Sequence, residues 1–289
     1  KAPLPQLYSG TLKRIEMMES AYCEPRNVDV WLPENYDGSK PFAVLYMHDG
    51  QMLFDAKTTW NKQAWEIDSV ATELMNADEV QDFIVVGVWN AGERRHPNYF
   101  PQKPYEQLQG TEKSFVTEKL KEVNRTQDDF TPNSDDYLKF LVHELKPHID
   151  STYKVHTDPN HTFIAGSSMG GLISWYALCE YPEVFCGAAA ISTHWPGIFD
   201  TEENPIPDRF IDYLRLNLPN DGAHKIYFDT GDQTLDAMYP DIQKKVNAMM
   251  QEIGFNDELW KSAFFPGADH SENAWKKRLD VPLRYLLQK

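Results

Sequence analysis

The chain has little of several things that would narrow its role. Three cysteines stand in 289 residues, too few for a disulfide framework. None has a C-x-x-C neighbour, and no zinc-type ligand spacing accompanies them, so a site free of metal and cofactor is expected. Cys179 and Cys186 lie in apolar stretches and read as small buried hydrophobes. His143 and His148 are five apart, share no helical face and read as solvated. No apolar run is long enough to span a bilayer. Basic residues are scarce: 28 Lys and Arg stand against 44 Asp and Glu, a formal net charge of −16. That balance disfavours a phosphate backbone, so nucleic acid is not an expected partner. It suits a neutral or weakly charged small-molecule or oligosaccharide substrate. What remains is an ordinary globular composition, 41% hydrophobic and 25% charged, enough for one large core. The chain starts at Lys1 rather than methionine. A periplasmic or secreted location is expected ahead of a cytoplasmic one. Asn124-Arg-Thr126 and Asn160-His-Thr162 fit the glycosylation acceptor pattern, which matters only in a eukaryotic secretory pathway.

The stretch that organises the chain is His161 to Gly171. Phe163, Ile164 and Ala165 form an apolar run, Gly166-Ser-Ser-Met-Gly170 fits G-x-S-x-G, and Leu172 to Leu178 reads as helix until Pro182. Strand, sharp turn and helix start are the context of a nucleophile elbow, with Ser168 at its apex. The turn is too tight for side chains on both flanks, which explains the glycines. The Met169 amide falls at a helix N-terminus, where an N–H lacks an intrahelical partner and favours an anion. Met169 is therefore one candidate oxyanion donor.

Around this element, strands alternate with helices. Val28, Val30 and Leu32 alternate with polar residues in a half-buried strand; Phe42–Met47 and Phe83–Trp89 are continuous apolar runs, as in strands buried on both faces. Amphipathic helices are expected over Ala64–Met75 and Asp135–Ile149, and a solvated, charge-rich one within Thr111–Asp129. Such alternation implies a mostly parallel central sheet with helices on both faces in a single α/β domain. The Phe42–Met47 strand delivers His48-Asp-Gly-Gln51, and a glycine there lets backbone approach a ligand. Gln51 is the second candidate oxyanion donor. His48-Asp49 reads as a polar strand cap rather than a metal site.

The chain order of nucleophile, acid and histidine then selects His270, in the loop after the last strand, as general base. The acid should follow the His224–Gly231 strand. Asp232 and Asp236 compete, each also a candidate helix cap, and Asp229 within the strand fits less well. Spacing leaves the choice open. Arg95 and Tyr99, in a weakly periodic stretch, could wall a substrate, or Tyr99 could anchor its loop to the core. Trp195, after a strand end, is a pocket candidate or a core residue.

Several separated stretches together resemble the putative esterase family of α/β-hydrolases, which includes esterase D-like enzymes and carbohydrate esterase family 1. They are Tyr46–Phe54, Trp65–Asp68, Arg95–Pro101, Ala165–Gly171, Phe228–Gly231 with Thr234–Ala237, and Phe265–His270. The resemblance implies an α/β-hydrolase fold and metal-free ester hydrolysis by a Ser–His–Asp triad. Ser168 and His270 match the nucleophile and base, Gln51 and Met169 the oxyanion donors. The Thr-Leu-Asp form places the acid at Asp236, with Asp232 in reserve. The implied substrates are acyl or aryl esters of carbohydrates, such as acetyl or feruloyl groups. A siderophore trilactone esterase, an acyltransferase and a catalytically silent carbohydrate-binding relative are the alternatives. On this reading residues 1–25 are a lead-in segment and 26–289 the esterase domain, with 90–133 as a long loop or lid insertion.

Overall fold

The structure, a computed structural model, describes residues 1–289. Its strands are β1 (Thr11–Met18), β2 (Arg26–Leu32), β3 (Ala43–His48), β4 (Phe83–Val88), β5 (Thr162–Ser167), β6 (Gly187–Ile191), β7 (Lys225–Thr230) and β8 (Trp260–Phe264). They form one eight-stranded sheet in the order β1-β2-β4-β3-β5-β6-β7-β8. β1 and β2 pair antiparallel, as do β2 and β4; all other pairs are parallel. β1 gives the lead-in segment a place in the sheet, continuous with the rest of the domain.

The strands are apolar because both faces are covered. In β3, Val44 and Tyr46 enter the core on one face; Ala43, Leu45 and Met47 enter the core on the other. That two-residue alternation is the strand period, and both halves are apolar because helices pack on each side. The helices are α1 (Ile67–Asn76), α2 (Arg95–Tyr99), α3 (Gln102–Glu106), α4 (Gly110–Glu122), α5 (Ser134–Lys139), α6 (Lys146–Thr152), α7 (Met169–Glu180), α8 (Ile206–Asn217), α9 (Pro240–Glu252), α10 (Glu272–Lys276) and α11 (Asp280–Leu286).

Three expectations change. The helix read over 135–149 spans 134–152, with a widened π turn at Phe140–Leu145 between α5 and α6. Pro147 has no N–H to give the preceding turn, and a π turn just before it accommodates the missing bond. The insertion read over 90–133 is neither a long loop nor a lid: it carries α2, α3 and α4. Tyr99, Phe100, Tyr105, Leu108, Val116, Leu120 and Phe130 from it are all buried in one core. Its periodicity is weak because each short helix buries only a few residues. α4 is accordingly not a solvated helix; Val116 and Leu120, four apart, are fully buried.

Candidate active site

β5 ends at Ser167, and Ser168 turns the chain with φ 59° and ψ −121° before α7 begins at Met169. A non-glycine residue in this region is strained and persists only where surrounding structure holds it. The hold is visible: the Ser168 N–H donates to the Ile191 carbonyl at 3.0 Å, and the Ser168 carbonyl accepts from His194 N–H at 3.2 Å. A Cβ on Gly166 would sit 2.7 Å from the Gly170 carbonyl oxygen, so the turn closes only with glycine. Ser168 is buried at 7% exposure.

β3 lies beside β5, so its C-terminal loop reaches the same edge. Asp49 adopts φ 56°, and a Cβ on Gly50 would lie 2.5 Å from Gly87 backbone atoms. This tight packing presents the Gln51 amide. Neither the Gln51 nor the Met169 N–H donates to any protein acceptor. An oxyanion site requires backbone amides left unpaired in this way.

Asp49 is buried and held by Arg95, whose Nε and NH2 atoms donate to its two carboxylate oxygens at 2.7 Å each, and by Asn90. Burial alone would raise the Asp49 pKa; Arg95 and Asn90 outweigh it and hold it below the usual carboxylate range. His48 donates or accepts at Tyr137 Oη, 2.8 Å away, and burial pushes its pKa down to about 3, so it is neutral. Both side chains are thus engaged with protein groups, His48 with Tyr137 and Asp49 with Arg95 and Asn90.

The acid–base side is assembled from the other half of the sheet. His270 Nδ1 lies 2.6 Å from Asp236 Oδ1. The second oxygen of Asp236 accepts from Gly231 N–H at 2.7 Å and Ser192 Oγ at 2.6 Å. His270 Nδ1 therefore faces a carboxylate oxygen, and its Nε2 makes no hydrogen bond to protein. Ser192 is saturated in turn, accepting from Trp275 Nε1 at 3.0 Å and Arg278 NH2 at 2.8 Å. Arg278 also binds Asp229, which is fully buried. Asp232 is turned outward; it accepts from the Gly267 amide at 2.8 Å. The two carboxylates that spacing could not separate therefore do different jobs.

Ser168 and His270 are not hydrogen-bonded to each other in this structure. Ser168 lies beside Tyr239, whose hydroxyl it influences, and that hydroxyl also bonds His194 Nδ1 at 2.8 Å. Burial raises the Tyr239 pKa and lowers that of His194 well below its ordinary value, so both are neutral. The His270 ring packs edge-on against Trp275, with centroids 4.9 Å apart.

Two of the three residues read as substrate contacts are corrected. Tyr99 and Trp195 are wholly buried. Tyr99 packs on His48 and Tyr137, and Trp195 stacks on Trp175 while donating to Gln243. Large rings after strand ends are also what a core needs, and here the core takes them. Arg95 is partly exposed but engaged with Asp49. Ser192, Arg278 and Tyr239 were not legible as site residues; only Ser192, following a small-residue strand, stands where a strand end could have flagged it. Trp60 was also passed over. It is 83% exposed on a segment tied to 272–273 by Asn61 Nδ2 to Glu272 and by Asn273 N–H to Gln63.

A family description, putative esterase, matches residues 20–286. The protein YbbA of Bacillus subtilis (strain 168), described as uncharacterized, is 21% identical over 272 residues, covering 91% of this chain and 93% of that one. An IroE-like serine hydrolase from Shewanella oneidensis superposes with a TM-score of 0.69 at 18% identity, covering 96% of this chain and 80% of that one. A CE1 ferulic acid esterase from Anaeromyces mucronatus, solved with ferulic acid, gives 0.64 at 18% identity, covering 99% and 92%. At such identities the likeness establishes the α/β-hydrolase fold.

Proposed function

The chain belongs to the putative esterase family, and from that premise we propose that it is a serine carboxylic-ester hydrolase acting through Ser168, His270 and Asp236. The observation that carries this reading is the buried Asp236–His270 contact at 2.6 Å, formed on the same sheet edge as the strained Ser168. His270 Nε2 takes the Ser168 proton as the hydroxyl attacks the ester carbonyl. The Gln51 and Met169 amides hold the resulting oxyanion, and Asp236 fixes the imidazole tautomer. Collapse releases the alcohol on a proton from His270. Water, activated by the same base, then frees the acid from the acyl-serine. Catalytic hydrogen bonds often tighten only on substrate binding.

The substrate class in this reading is an acyl or aryl ester of a carbohydrate. Trp60, exposed beside the loop that follows His270, offers a face on which a sugar or phenolic ring can stack. A ferric siderophore fits less well: the chain carries −16, and Arg95 is already neutralised by Asp49. Activity against acetyl, butyryl and feruloyl esters, with Ser168→Ala as control, is the test. Loss of several orders of magnitude in kcat with an unchanged Tm is expected; near wild-type turnover would falsify the nucleophile. Trp60→Ala should raise KM for the feruloyl ester more than for the acetyl ester. A methyl glycoside acceptor yielding transfer product faster than hydrolysis would favour an acyltransferase. Failure of a fluorophosphonate to label Ser168 would favour a silent binding relative.

A further inference from the structure

The connection from α6 to β5 lies at the end of the sheet remote from Ser168. Its backbone is fixed at several points. Phe42 N–H donates to the Lys154 carbonyl at 3.2 Å, and His156 N–H to the Phe42 carbonyl at 2.9 Å. Lys146 Nζ donates to the Thr157 carbonyl at 3.1 Å, and Thr162 Oγ1 to the Asp158 carbonyl at 2.9 Å. On this frame His156, Asp158 and His161 converge. His161 Nδ1 is 2.8 Å from Asp158 Oδ1, and His156 Nδ1 is 3.9 Å from Asp158 Oδ2. The two imidazoles stack with centroids 3.8 Å apart and 15° between their planes. One donor atom from each of the three residues lies within 4.8 Å of the other two.

Two imidazole nitrogens and one carboxylate suit Zn2+ and its transition-metal neighbours; Mg2+ and Ca2+ prefer all-oxygen sets. Metal–ligand bonds of about 2.0–2.1 Å in a tetrahedron place donors about 3.3 Å apart. The 2.8 and 3.9 Å contacts run to different oxygens of Asp158, so one ion is reached by splaying the stacked rings until both lone pairs converge on it. All three side chains are about one-third to one-half exposed, which leaves an approach for the ion and room for water as fourth ligand.

We propose that His156, Asp158 and His161 bind one Zn2+-type ion, with water completing the shell, and that the ion clamps the α6–β5 connection. β5 separates the cluster from Ser167 by six residues, about 20 Å of strand, so the site stabilises the fold and does not enter the ester chemistry. The proposal is independent of that chemistry.

The test uses the full chain, stripped with a chelator and returned to metal-free buffer. Calorimetric titration with ZnCl2 should show one site lost in the variants described next, and Tm should rise by roughly 5 °C at a hundred-fold excess over Kd. MgCl2 should leave Tm unchanged. His156→Ala and His161→Ala should each weaken Zn2+ binding about ten-fold or more. The partly exposed His156 side chain makes only its stack on His161 and the 3.9 Å contact to Asp158, so its alanine variant should stay close to the wild type in Tm in the presence of chelator. Co2+ bound by the wild type should show the visible absorption of a tetrahedral site, absent from His156→Ala. A wild type whose Tm ignores Zn2+, or Zn2+ binding of equal strength in both variants, overturns the proposal.

Discussion

The two halves of the candidate site are held by different physics. The nucleophile half is backbone. Ser168 at φ 59°, the free amides of Gln51 and Met169, and glycines pressed against Gly170 and Gly87 form it. The acid–base half is side chain. His270, Asp236, Ser192, Trp275 and Arg278 come from three separate stretches of chain and are joined by hydrogen bonds. The first half cannot accept an added carbon. The second can accept changes of volume but not the loss of a donor. A site can thus be rigid by exclusion on one side and by saturation on the other.

The sharpest way to break the comparison is Asp236→Asn. The amide keeps the shape but cannot hold the same imidazole tautomer, and a loss of about 10⁴ in kcat is expected. Asp232→Asn should leave kcat within a factor of a few, since Asp232 serves the Gly267 amide. Equal losses in the two would move the acid. Next comes Gly166→Ala, whose Cβ meets the Gly170 carbonyl at 2.7 Å. A loss of about 1–3 kcal/mol in urea unfolding is expected, with activity falling alongside. Ser192→Ala touches the other half: Asp236 loses one donor, while Arg278 and Trp275 lose an acceptor. A roughly ten-fold drop in kcat, with KM unchanged, is the expected reading.

A separate measurement is stability against pH. His48 and His96 are buried with pKa values pushed down to about 3. Unfolded, they titrate near 6.5. Between these values the unfolded chain binds more protons, so stability falls as pH drops below about 6.5, by about 1.4 kcal/mol per pH unit for each histidine. Tm should be flat above pH 7 and decline toward pH 4. His96→Gln, which can still donate to the Gly197 carbonyl, should make that decline shallower. An identical slope in the variant would show that His96 does not set it.

Much of the nucleophile half was legible in the chain. A glycine-flanked serine between an apolar run and a helix has few other folds, because the strain it needs is local. β5, α7 and the buried runs of β3 and β4 were found for a similar reason, since their patterns repeat over a few residues. The segment 90–133 was misread because three short helices leave no sustained period. Tyr99 and Trp195 were misread because ring type and position after a strand do not say which way a ring points. The metal-type cluster was missed because His156, Asp158 and His161 follow no helical or zinc-finger spacing, and a turn brings them together.

The sequence by itself determined the alternating α/β architecture and the strained turn at Ser168, since each depends on contacts a few residues apart or on one strand neighbour. Spacing left Asp236 and Asp232 equal and only the family resemblance favoured Asp236; which of them meets His270 is decided by the tertiary structure. They are four residues apart on the same connection, and no local preference separates them. The difference comes from distant donors: Ser192 at the end of β6 and His270 after β8 saturate one carboxylate, while Asp232 faces outward to the Gly267 amide. Partners that far along the chain meet only when the sheet has formed.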